Sequence, residues 1–375
     1  MKKIRTSSIK EINYYKRLSI AKLKDKVKQI KAQLPKEEQN VITFSKNFTL
    51  SLSNYCQNQC GYCFYNYKVP KFNDEGNVII LGNDQMVTLV QKALQYNCKE
   101  ALIMSGERPD SFKEVKDELE KIYCRDFIEF VKDICTYLLD FNLLPHINIG
   151  VLTYDELKEL KNFCVSMGLM IESTSKDLFE KGGVHEKSPN KIPAKRIEHI
   201  NNAGKLKIPF TTGLLLGIGE NFEDRIKDLF LIKKIHENYG HIQEVIMQNF
   251  VIKKQIPYQP KNPITIEEIL KITAIAKIIF ENEISVQVAP NLISGYEKDF
   301  IEIGIDDFGG VSPFTLDYIN PEKKWPQIDN LKKICKDKGI KLKERLPIYE
   351  KFINNKEFCP ERIKKRINNI NLNVN

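Results

Sequence analysis

The sequence predicts an α/β protein whose main domain is a TIM-like (βα) barrel, complete or partial, with a helical N-terminal extension. Short apolar segments alternate with amphipathic helical segments along most of the chain, and this alternation is typical of a parallel sheet covered by helices. Six to eight such units are recognisable, which favours a barrel with its active site at the carboxyl ends of the strands. The length of 375 residues suits one such domain with extensions.

Residues 1–40 are interpreted as a basic helical extension. Residues 1–31 contain eleven Lys or Arg against Glu11 and Asp25, so they account for the whole net charge of +9. Such an arm is compatible with RNA, an acidic partner or anionic lipid. The favoured interpretation is a surface helix packed on the body of the protein, because four apolar residues recur at helical spacing. They are Ile20, Leu23, Val27 and Ile30.

The barrel is assigned to residues 41–350. Its predicted strands are residues 48–53, 101–105, 146–151, 169–174, 210–216, 245–250, 285–289 and 309–312. Two helices are expected to begin with a capping box, formed by Thr153 with Glu156 and by Thr265 with Glu268. The first of these helices is expected to bury a face made of Leu157, Leu160, Cys164 and Met167. Residues 351–375 are expected to form a basic tail that frays over its last fifteen residues.

Composition excludes several classes of protein. The chain is 42% hydrophobic and 29% charged, and it lacks the roughly 18-residue apolar run of a membrane helix. The basic start has no apolar stretch or cleavage site of a secretory signal, so we expect a cytoplasmic protein. Nine cysteines, an odd number, argue against a disulfide framework and for thiols that are reduced or bound to metal.

The strongest functional signal is the segment NYCQNQCGYCFYNY, which places Cys56, Cys60 and Cys63 at Cys-x3-Cys-x2-Cys spacing after the first predicted strand. Thiolates are the usual ligands of iron-sulfur clusters, and four are needed to occupy every iron of a [4Fe-4S] cubane. Three leave one iron open to an outside molecule, just as a catalytic zinc site keeps an open position. The other cysteines are scattered and fit small buried side chains. They are Cys98, Cys124, Cys135, Cys164, Cys335 and Cys359.

An open iron predicts reductive cleavage of S-adenosyl-L-methionine, whose methionyl amine and carboxylate can chelate it. One electron then breaks the bond from sulfur to the 5' carbon, and the barrel keeps water away from the resulting radical. Three alternatives are less favoured. A zinc site would need a second Cys pair or a nearby His, and the nearest His in the sequence is His146. An electron-transfer cluster would need a fourth thiolate. A purely structural loop does not explain three polar-flanked cysteines.

Three further segments fit the same chemistry. Ser105, Gly106 and Glu107 follow the second predicted strand, where a backbone edge and a carboxylate can bind the methionyl ammonium, although a simple turn is the alternative. Glu172 lies in an apolar strand and needs a partner, either a ribose diol or a neighbouring Lys or Arg. The stretch GLLLGIGE at residues 213–220 has glycines that permit close approach by adenine or by a helix.

Beyond these motifs, the chain from about residue 41 to about residue 349 resembles the ring-closing subunit of 7,8-didemethyl-8-hydroxy-5-deazariboflavin synthase, a radical S-adenosylmethionine (radical SAM) family. The stretches that carry the resemblance are NYCQNQCGYC, KEALIMSGERPD, LLPHINIGVLT, SMGLMIESTS, LKIPFTTGLLLGIGE, YGHIQEVIMQNF and DDFGGVSP. The resemblance implies a [4Fe-4S] cluster on Cys56, Cys60 and Cys63, with S-adenosyl-L-methionine as cosubstrate.

The implied reaction belongs to coenzyme F(420) biosynthesis. The adduct 5-amino-5-(4-hydroxybenzyl)-6-(D-ribitylimino)-5,6-dihydrouracil is cyclised oxidatively to the deazaflavin, and ammonia, methionine and 5'-deoxyadenosine leave. A sister radical enzyme makes the adduct, and because the chain has one cysteine triad, that enzyme is expected to be another chain. A reducing electron donor is implied as well. Gln57 and Gln59 stand where the family often has arginines, so an anion contact there is in doubt.

Acid-base candidates are polar residues at or near predicted strand ends, where a barrel places catalytic groups. His146, Gln248 and Asn249 are the chosen candidates, and Gln248 and Asn249 suit hydrogen bonds to pyrimidine carbonyls. Glu220, His241 and Gln243 lie in similar places.

Three rival functions remain open. They are the sister step that condenses tyrosine with the ribityl pyrimidine, a non-catalytic iron-sulfur electron carrier, and RNA binding through the basic arm.

Overall fold

Eight parallel strands close into a complete barrel in the computed structural model, which describes residues 9–69 and 78–370. The α/β barrel prediction is therefore confirmed. The strands are β1 (Val41–Ser51), β2 (Glu100–Met104), β3 (Leu144–Asn148), β4 (Ser166–Gly168), β5 (Phe210–Leu216), β6 (Ile242–Asn249), β7 (Ser285–Gln287) and β8 (Asp307–Val311). A ninth strand, β9 (Lys341–Glu344), lies outside the closed ring.

Closure depends on the length of β1, which pairs with three other strands. Its second half pairs with β2, for example Leu50 with Ile103, while its middle pairs with β8, where Ser45 lies opposite Gly310. Its first four residues pair with β9. Because β1 is bonded on both edges, the barrel has no free edge at this point.

Helices surround the barrel and precede it. They are α1 (Ile9–Arg17), α2 (Ile20–Lys31), α3 (Lys36–Gln39), α4 (Asn83–Gln95), α5 (Lys113–Lys121), α6 (Phe127–Asp140), α7 (Tyr154–Leu160), α8 (Pro193–Lys205), α9 (Phe222–Tyr239), α10 (Ile266–Phe280), α11 (Glu297–Glu302), α12 (Ile328–Asp337), α13 (Glu350–Ile353) and α14 (Glu361–Asn368). Short 3-10 helices are Pro109–Ser111, Lys161–Phe163 and Lys176–Phe179.

The N-terminal helices confirm the helical extension. Leu23 and Val27 of α2 are buried, and α2 packs along α10. Lys24 forms an ion pair with Glu302 at 2.7 Å. The apolar stripe of α2 therefore faces the barrel's outer helices, while Lys22 and Lys28 are exposed. Residues 1–8 lie outside the described residues.

Both predicted capping boxes are present at the starts of α7 and α10. The predicted apolar face of α7 is wrong beyond Leu160, where the helix ends. Cys164 lies in the following connection and Met167 lies in β4. A 3-10 turn after α7 redirects the chain, so helical spacing no longer applies to these two residues.

Strand 210–216 agrees with β5, but the strand predicted at 169–174 is wrong. The strand is Ser166–Gly168, and after it Glu172 makes only an isolated bridge to Leu214. Glu172 has a φ of 63°, a left-handed conformation that regular strands do not adopt. The segment keeps irregular backbone hydrogen bonds to β5, from the Leu169 N–H to the Thr211 carbonyl at 3.0 Å and from the Glu172 N–H to the Gly213 carbonyl at 2.9 Å.

Residues 345–349 close the amino-terminal end of the barrel. Arg345 binds Asp307 through Nε at 2.6 Å and Glu244 through Nη2 at 2.7 Å. The Pro347 carbonyl accepts hydrogen bonds from Ser166 Oγ at 2.6 Å and Gln243 Nε2 at 3.0 Å. This segment acts as the floor of the barrel interior.

The basic tail prediction is wrong for the segment 361–368, which forms helix α14. Ile363 and Ile367 are buried against the chain near α6 and the start of β3, and Arg366 pairs with Asp140 at 2.8 Å. The two isoleucines lie four residues apart on one helix face. Their burial stabilises the helix against the body of the protein. Residues 371–375 lie outside the described residues.

Candidate functional site

The cysteine loop, residues 54–67, leaves β1 at the carboxyl end of the barrel. Backbone hydrogen bonds hold it on two sides. The Gln57 N–H donates to the Glu107 carbonyl at 2.9 Å, while the Gly61 N–H donates to the Val184 carbonyl at 2.8 Å. Tyr55 stacks on a second tyrosine of the loop with ring centroids 4.3 Å apart. These contacts join the loop to the segments around residues 107 and 184.

Gly106 explains why the segment 105–107 needs a glycine. A Cβ added there would lie 2.0 Å from the Tyr55 carbonyl oxygen and 2.8 Å from Cys56 Cβ. The Gly106 N–H also donates to the Ser53 carbonyl at 2.7 Å. The segment lies directly beneath the cysteine loop, so the two sequence motifs form one structural unit.

Cys56, Cys60 and Cys63 all line the same cavity. The Glu107 N–H donates to Cys56 Sγ at 3.1 Å and the Ser188 hydroxyl donates to Cys60 Sγ at 3.3 Å. Hydrogen bonds to ligating sulfurs are a recognised means of tuning iron-sulfur clusters. This donor set, with three sulfurs open to one cavity, fits a cluster bound by three cysteines.

Burial raises the pKa of the Cys56 thiol to about 12 and that of Cys60 to about 11. Metal ligation requires thiolates, so cluster assembly must release these protons. Across the described residues, no three His, Cys, Asp or Glu side chains converge closely enough to hold a single metal ion. A cubane spreads its ligands over separate irons, so this spacing is compatible with a cluster.

The cavity occupies the barrel interior and has a volume of about 380 Å³, within the range of small-molecule sites. The three cysteines line it, as do Arg345 and Pro347 of the barrel floor. It therefore runs from the cysteine loop down the barrel axis.

Ser105, Gly106 and Glu107 lie at the cysteine end of this cavity, as predicted. Glu107 is buried, and its carboxylate accepts hydrogen bonds from the Val151 N–H at 2.8 Å and Asn58 Nδ2 at 3.3 Å. Burial raises the pKa of Glu107, and the charge of Arg196 partly offsets that rise.

Glu172 also lines the cavity, and its partners are protein side chains. Its carboxylate accepts hydrogen bonds from Tyr62 and Lys191, and His185 Nε2 lies 3.2 Å away. Burial alone would raise the pKa of Glu172, but Lys191, His185 and Arg196 together hold it well below its ordinary value. Of the two partners considered from the sequence, the structure provides the lysine.

Arg196 is a functional candidate that the sequence interpretation missed. It projects from α8, is 3% exposed and lines the cavity, and its Nε donates to the Met170 carbonyl at 2.7 Å. One signal was available, because Arg196 shares the apolar face of α8 with Ile200 and Ala203 at helical spacing. A cation on a buried face requires a buried partner. Lys191 precedes α8 in a loop and carried no such signal.

His146 lies in the middle of β3, so its predicted place at or near a strand end is wrong, but its side chain lines the cavity. Its Nδ1 lies 2.7 Å from Ser166 Oγ, whose proton is donated to the Pro347 carbonyl. Ser166 Oγ must therefore accept from His146, which places the imidazole proton on Nδ1 and leaves Nε2 as an acceptor. Burial, helped by the charge of Arg345, lowers the pKa of His146 to about 3.

The remaining acid-base candidates lie in different parts of the barrel. Gln248 and Asn249 lie at the carboxyl end of β6 and line the cavity, as predicted. His241 and Gln243 lie at the opposite end of β6, where His241 Nε2 bonds the Ile200 carbonyl at 3.0 Å, so their placement at a catalytic strand end is wrong. Glu220 accepts from the Gly217 N–H at 2.8 Å and also binds Arg225. These last three residues have structural partners.

The glycines of GLLLGIGE are approached by protein side chains and backbone. Gly217 has a φ of 93°, and a Cβ there would lie 2.7 Å from Ile264 Cγ2. A Cβ on Gly213 would lie 2.2 Å from the Ile246 carbonyl oxygen. Close packing of neighbouring segments therefore accounts for both glycines.

Sequence comparison relates this site to known proteins. A family profile described as the Radical SAM superfamily matches residues 50–232, which include the three cysteines, Glu107 and Glu172. The 7,8-didemethyl-8-hydroxy-5-deazariboflavin synthase of Methanococcus vannielii is 48% identical over 330 residues, covering 87% of this chain and 90% of the relative. That of Methanocaldococcus jannaschii is 43% identical over 358 residues, covering 95% and 96%.

The chain belongs to the 7,8-didemethyl-8-hydroxy-5-deazariboflavin synthase family of radical SAM enzymes. A third deazariboflavin synthase, from Methanothermobacter thermautotrophicus, is 43% identical and is matched over 97% of its length. The radical SAM family implies a [4Fe-4S] cluster and S-adenosylmethionine, and the cysteine end of the cavity provides the expected donors.

Solved structures share the fold of this chain at low identity. The hydrogenase maturase HydG superimposes with a TM-score of 0.71 at 15% identity, covering 89% of this chain and 72% of HydG. Methylornithine synthase superimposes with a TM-score of 0.66 at 16% identity, covering 90% and 94%. Among the described helices, none has the length and apolar character needed to cross a bilayer.

Proposed function

We propose that this chain is the ring-closing subunit, which converts 5-amino-5-(4-hydroxybenzyl)-6-(D-ribitylimino)-5,6-dihydrouracil to 7,8-didemethyl-8-hydroxy-5-deazariboflavin in coenzyme F(420) biosynthesis. The proposal rests on sequence identity of 48% and 43% to two deazariboflavin synthases over at least 90% of their length. The three cysteines that line one barrel cavity support it. The stretches SGERP and GLLLGIGE resemble the ring-closing member more than the sister enzyme.

Cys56, Cys60 and Cys63 would hold the cluster and leave one iron for S-adenosyl-L-methionine. When bound, the cluster supplies the electron that cleaves the cosubstrate to methionine and a 5'-deoxyadenosyl radical. The Glu107 N–H lies beside Cys56 Sγ, and Ser105, Gly106 and the Glu107 carboxylate line the same cavity and would receive the methionyl ammonium.

Arg196 and Lys191 supply positive charge beneath the cysteine loop, where the methionyl carboxylate must lie. Arg196 sits between two carboxylates, since its charge acts on both Glu107 and Glu172. Glu172 holds Lys191 in place, and its own contact with a ribose diol would require one of its present partners to move.

The net reaction removes two hydrogens and one ammonia from the adduct. One hydrogen atom would go to the 5'-deoxyadenosyl radical, giving 5'-deoxyadenosine, and ring closure with loss of ammonia would release a proton and return one electron to the oxidised cluster. Gln248 and Asn249, at the carboxyl end of β6, would hold the pyrimidine by hydrogen bonds. The adduct comes from a sister radical enzyme, and a separate donor provides the starting electron.

The test is anaerobic turnover by protein with a reconstituted cluster, reduced with dithionite and given S-adenosyl-L-methionine. One reaction receives the preformed adduct and a second receives tyrosine with the ribityl pyrimidine. We expect the fluorescent deazaflavin and 5'-deoxyadenosine from the first reaction, and no adduct from the second, with products identified by mass.

Adduct formation in the second reaction, with no deazaflavin in the first, would assign the chain to the sister step. A reducible cluster that yields no 5'-deoxyadenosine in either reaction would favour the electron carrier.

A further inference from the structure

The lower half of the barrel cavity is unusually polar for a barrel interior. Inward-facing polar side chains come from five strands and lie between the cysteine end and the floor at Arg345. We call this group the polar chamber. Its members are Asn47, Glu100, His146, Thr211 and Gln287.

Glycines on neighbouring strands make room for three of these side chains. A Cβ on Gly310 would lie 2.2 Å from Asn47 Nδ2, and one on Gly309 would lie 1.8 Å from Gln287 Nε2. On β4, a Cβ at Gly168 would lie 2.8 Å from His146 Nε2. The interior is therefore built around polar groups, where branched apolar side chains usually fill a barrel.

The chamber presents hydrogen-bonding atoms without protein partners. Asn47 is 3% exposed, and its Oδ1 has no hydrogen-bond partner within the described chain. His146 offers Nε2 as an acceptor because Ser166 receives the proton on Nδ1. A buried polar atom that stays unpaired costs about 1–3 kcal/mol, so a ligand that pairs with these atoms is favoured.

The surroundings select the ligand's chemistry. Glu100, Glu244 and Asp307 lie near one another around the single guanidinium of Arg345, which disfavours a phosphate or carboxylate. An apolar group would leave Asn47 Oδ1 unpaired. Hydroxyl groups donate and accept at once, and they suit a chamber that offers both kinds of atom.

The upper half of the cavity contrasts with the chamber. Several large apolar side chains line its walls between the chamber and the cysteine loop, beside the polar residues described above. They include Met104, Leu215, Ile246, Phe250, Leu292 and Trp325. These side chains suit the faces of flat rings, and ring closure must occur at the cysteine end.

We propose that the polar chamber binds the polyhydroxylated ribityl chain of the substrate, so that the two rings are held in the upper half of the cavity. This inference rests on the proposed function. Asn47 and Gln287 then determine specificity for the ribityl chain. Neither side chain belongs to the cysteine end of the cavity.

The experiment compares two substrates in the reconstituted enzyme, namely the ribityl adduct and an adduct whose chain is cut to hydroxyethyl. Asn47→Leu and Gln287→Met are the test variants. Asn202→Leu is the matched control, because Asn202 is equally buried but lies on α8 and does not line the cavity. Thermal melting shows which variants fold. If Asn47→Leu does not fold, the test uses Gln287→Met alone.

The wild type should use the ribityl adduct at least tenfold better in kcat/KM. Each test variant should raise KM for the ribityl adduct about tenfold, the equivalent of one lost hydrogen bond, with KM for the short adduct unchanged. Asn202→Leu should change neither KM. Equal rises in KM for both adducts in the test variants would overturn this inference but not the proposed function. Equal kcat/KM for the two adducts in the wild type would do the same. No deazaflavin from the wild type with either adduct would overturn the proposed function and this inference with it.

Discussion

At the scale of single residues, the chemistry of the site depends on side chains whose neighbours come from distant segments. Cys56 receives a hydrogen bond from Glu107, and Cys60 receives one from Ser188. The cysteine motif was readable from spacing alone. The partners of Glu172 were not, because Lys191 reaches it from a loop and local sequence does not record that contact.

Replacing one cluster ligand should remove the cluster. Cys60→Ser is expected to lose most bound iron and all formation of 5'-deoxyadenosine, because serine is a poor ligand for iron in such clusters. Iron and sulfide analysis after anaerobic reconstitution checks this. Cys124→Ser is the control, since Cys124 is partly exposed and bonds only Asp133 among the described side chains, and it should keep its iron. Full iron in Cys60→Ser would remove Cys60 from the ligand set.

Glu244 should make stability depend on pH. Burial raises the pKa of Glu244 to about 7 from 4.5, although Arg345 opposes the rise. Between these values the folded protein binds more protons than the unfolded chain, so the free energy of unfolding should fall as pH rises through this window, by up to about 3 kcal/mol.

Glu244→Gln should flatten that fall. Denaturant unfolding of the wild type and variant across the window measures the difference. Parallel curves for the two proteins would show that Glu244 does not carry the effect.

At the scale of elements, the segment 105–107 and the cysteine loop form one unit through contact at Gly106. From the sequence, Ser105 and Gly106 were expected near the cosubstrate, but the reason for the glycine was not apparent. Strand ends were also misplaced where tertiary contact decided them, as after Gly168, where the regular strand ends and the segment to Glu172 keeps only irregular hydrogen bonds to β5.

Gly106→Ala should displace the cysteine loop, because its Cβ would lie 2.0 Å from a backbone oxygen. We expect iron content after reconstitution to fall at least twofold and cosubstrate cleavage to fall further. The matched control is Gly82→Ala, since Gly82 has an extended backbone and no atom within 4 Å of an added Cβ. If both variants retain wild-type iron content, the close packing at Gly106 does not position the loop.

At the scale of the whole molecule, the barrel is closed at its amino-terminal end by residues 345–349. Alternating apolar segments and helix caps were enough to predict the barrel and its N-terminal helices. The ninth strand, the floor and helix α14 were not predictable in this way. Strand β9 and helix α14 are short and mostly charged, the floor is only five residues long, and Arg345 is buried only because Asp307 and Glu244 are brought to it from two distant strands.

Arg345→Met should destabilise the fold by about 3–5 kcal/mol, because it leaves buried carboxylates without their cation. Arg366→Met removes a surface pair with Asp140 and should cost about 0–1 kcal/mol. Denaturant unfolding of both variants gives the comparison. A similarly small loss of unfolding free energy in the two variants would mean that the floor ion pairs do not hold the barrel closed.

The central claim is that three cysteine ligands leave one cluster iron available to S-adenosyl-L-methionine. The most direct measurement is electron paramagnetic resonance of the reduced, reconstituted protein with and without this cosubstrate. The account predicts a [4Fe-4S] signal that changes when the cosubstrate is added. An unchanged signal from a cluster with four protein ligands, or zinc in place of iron, would contradict it.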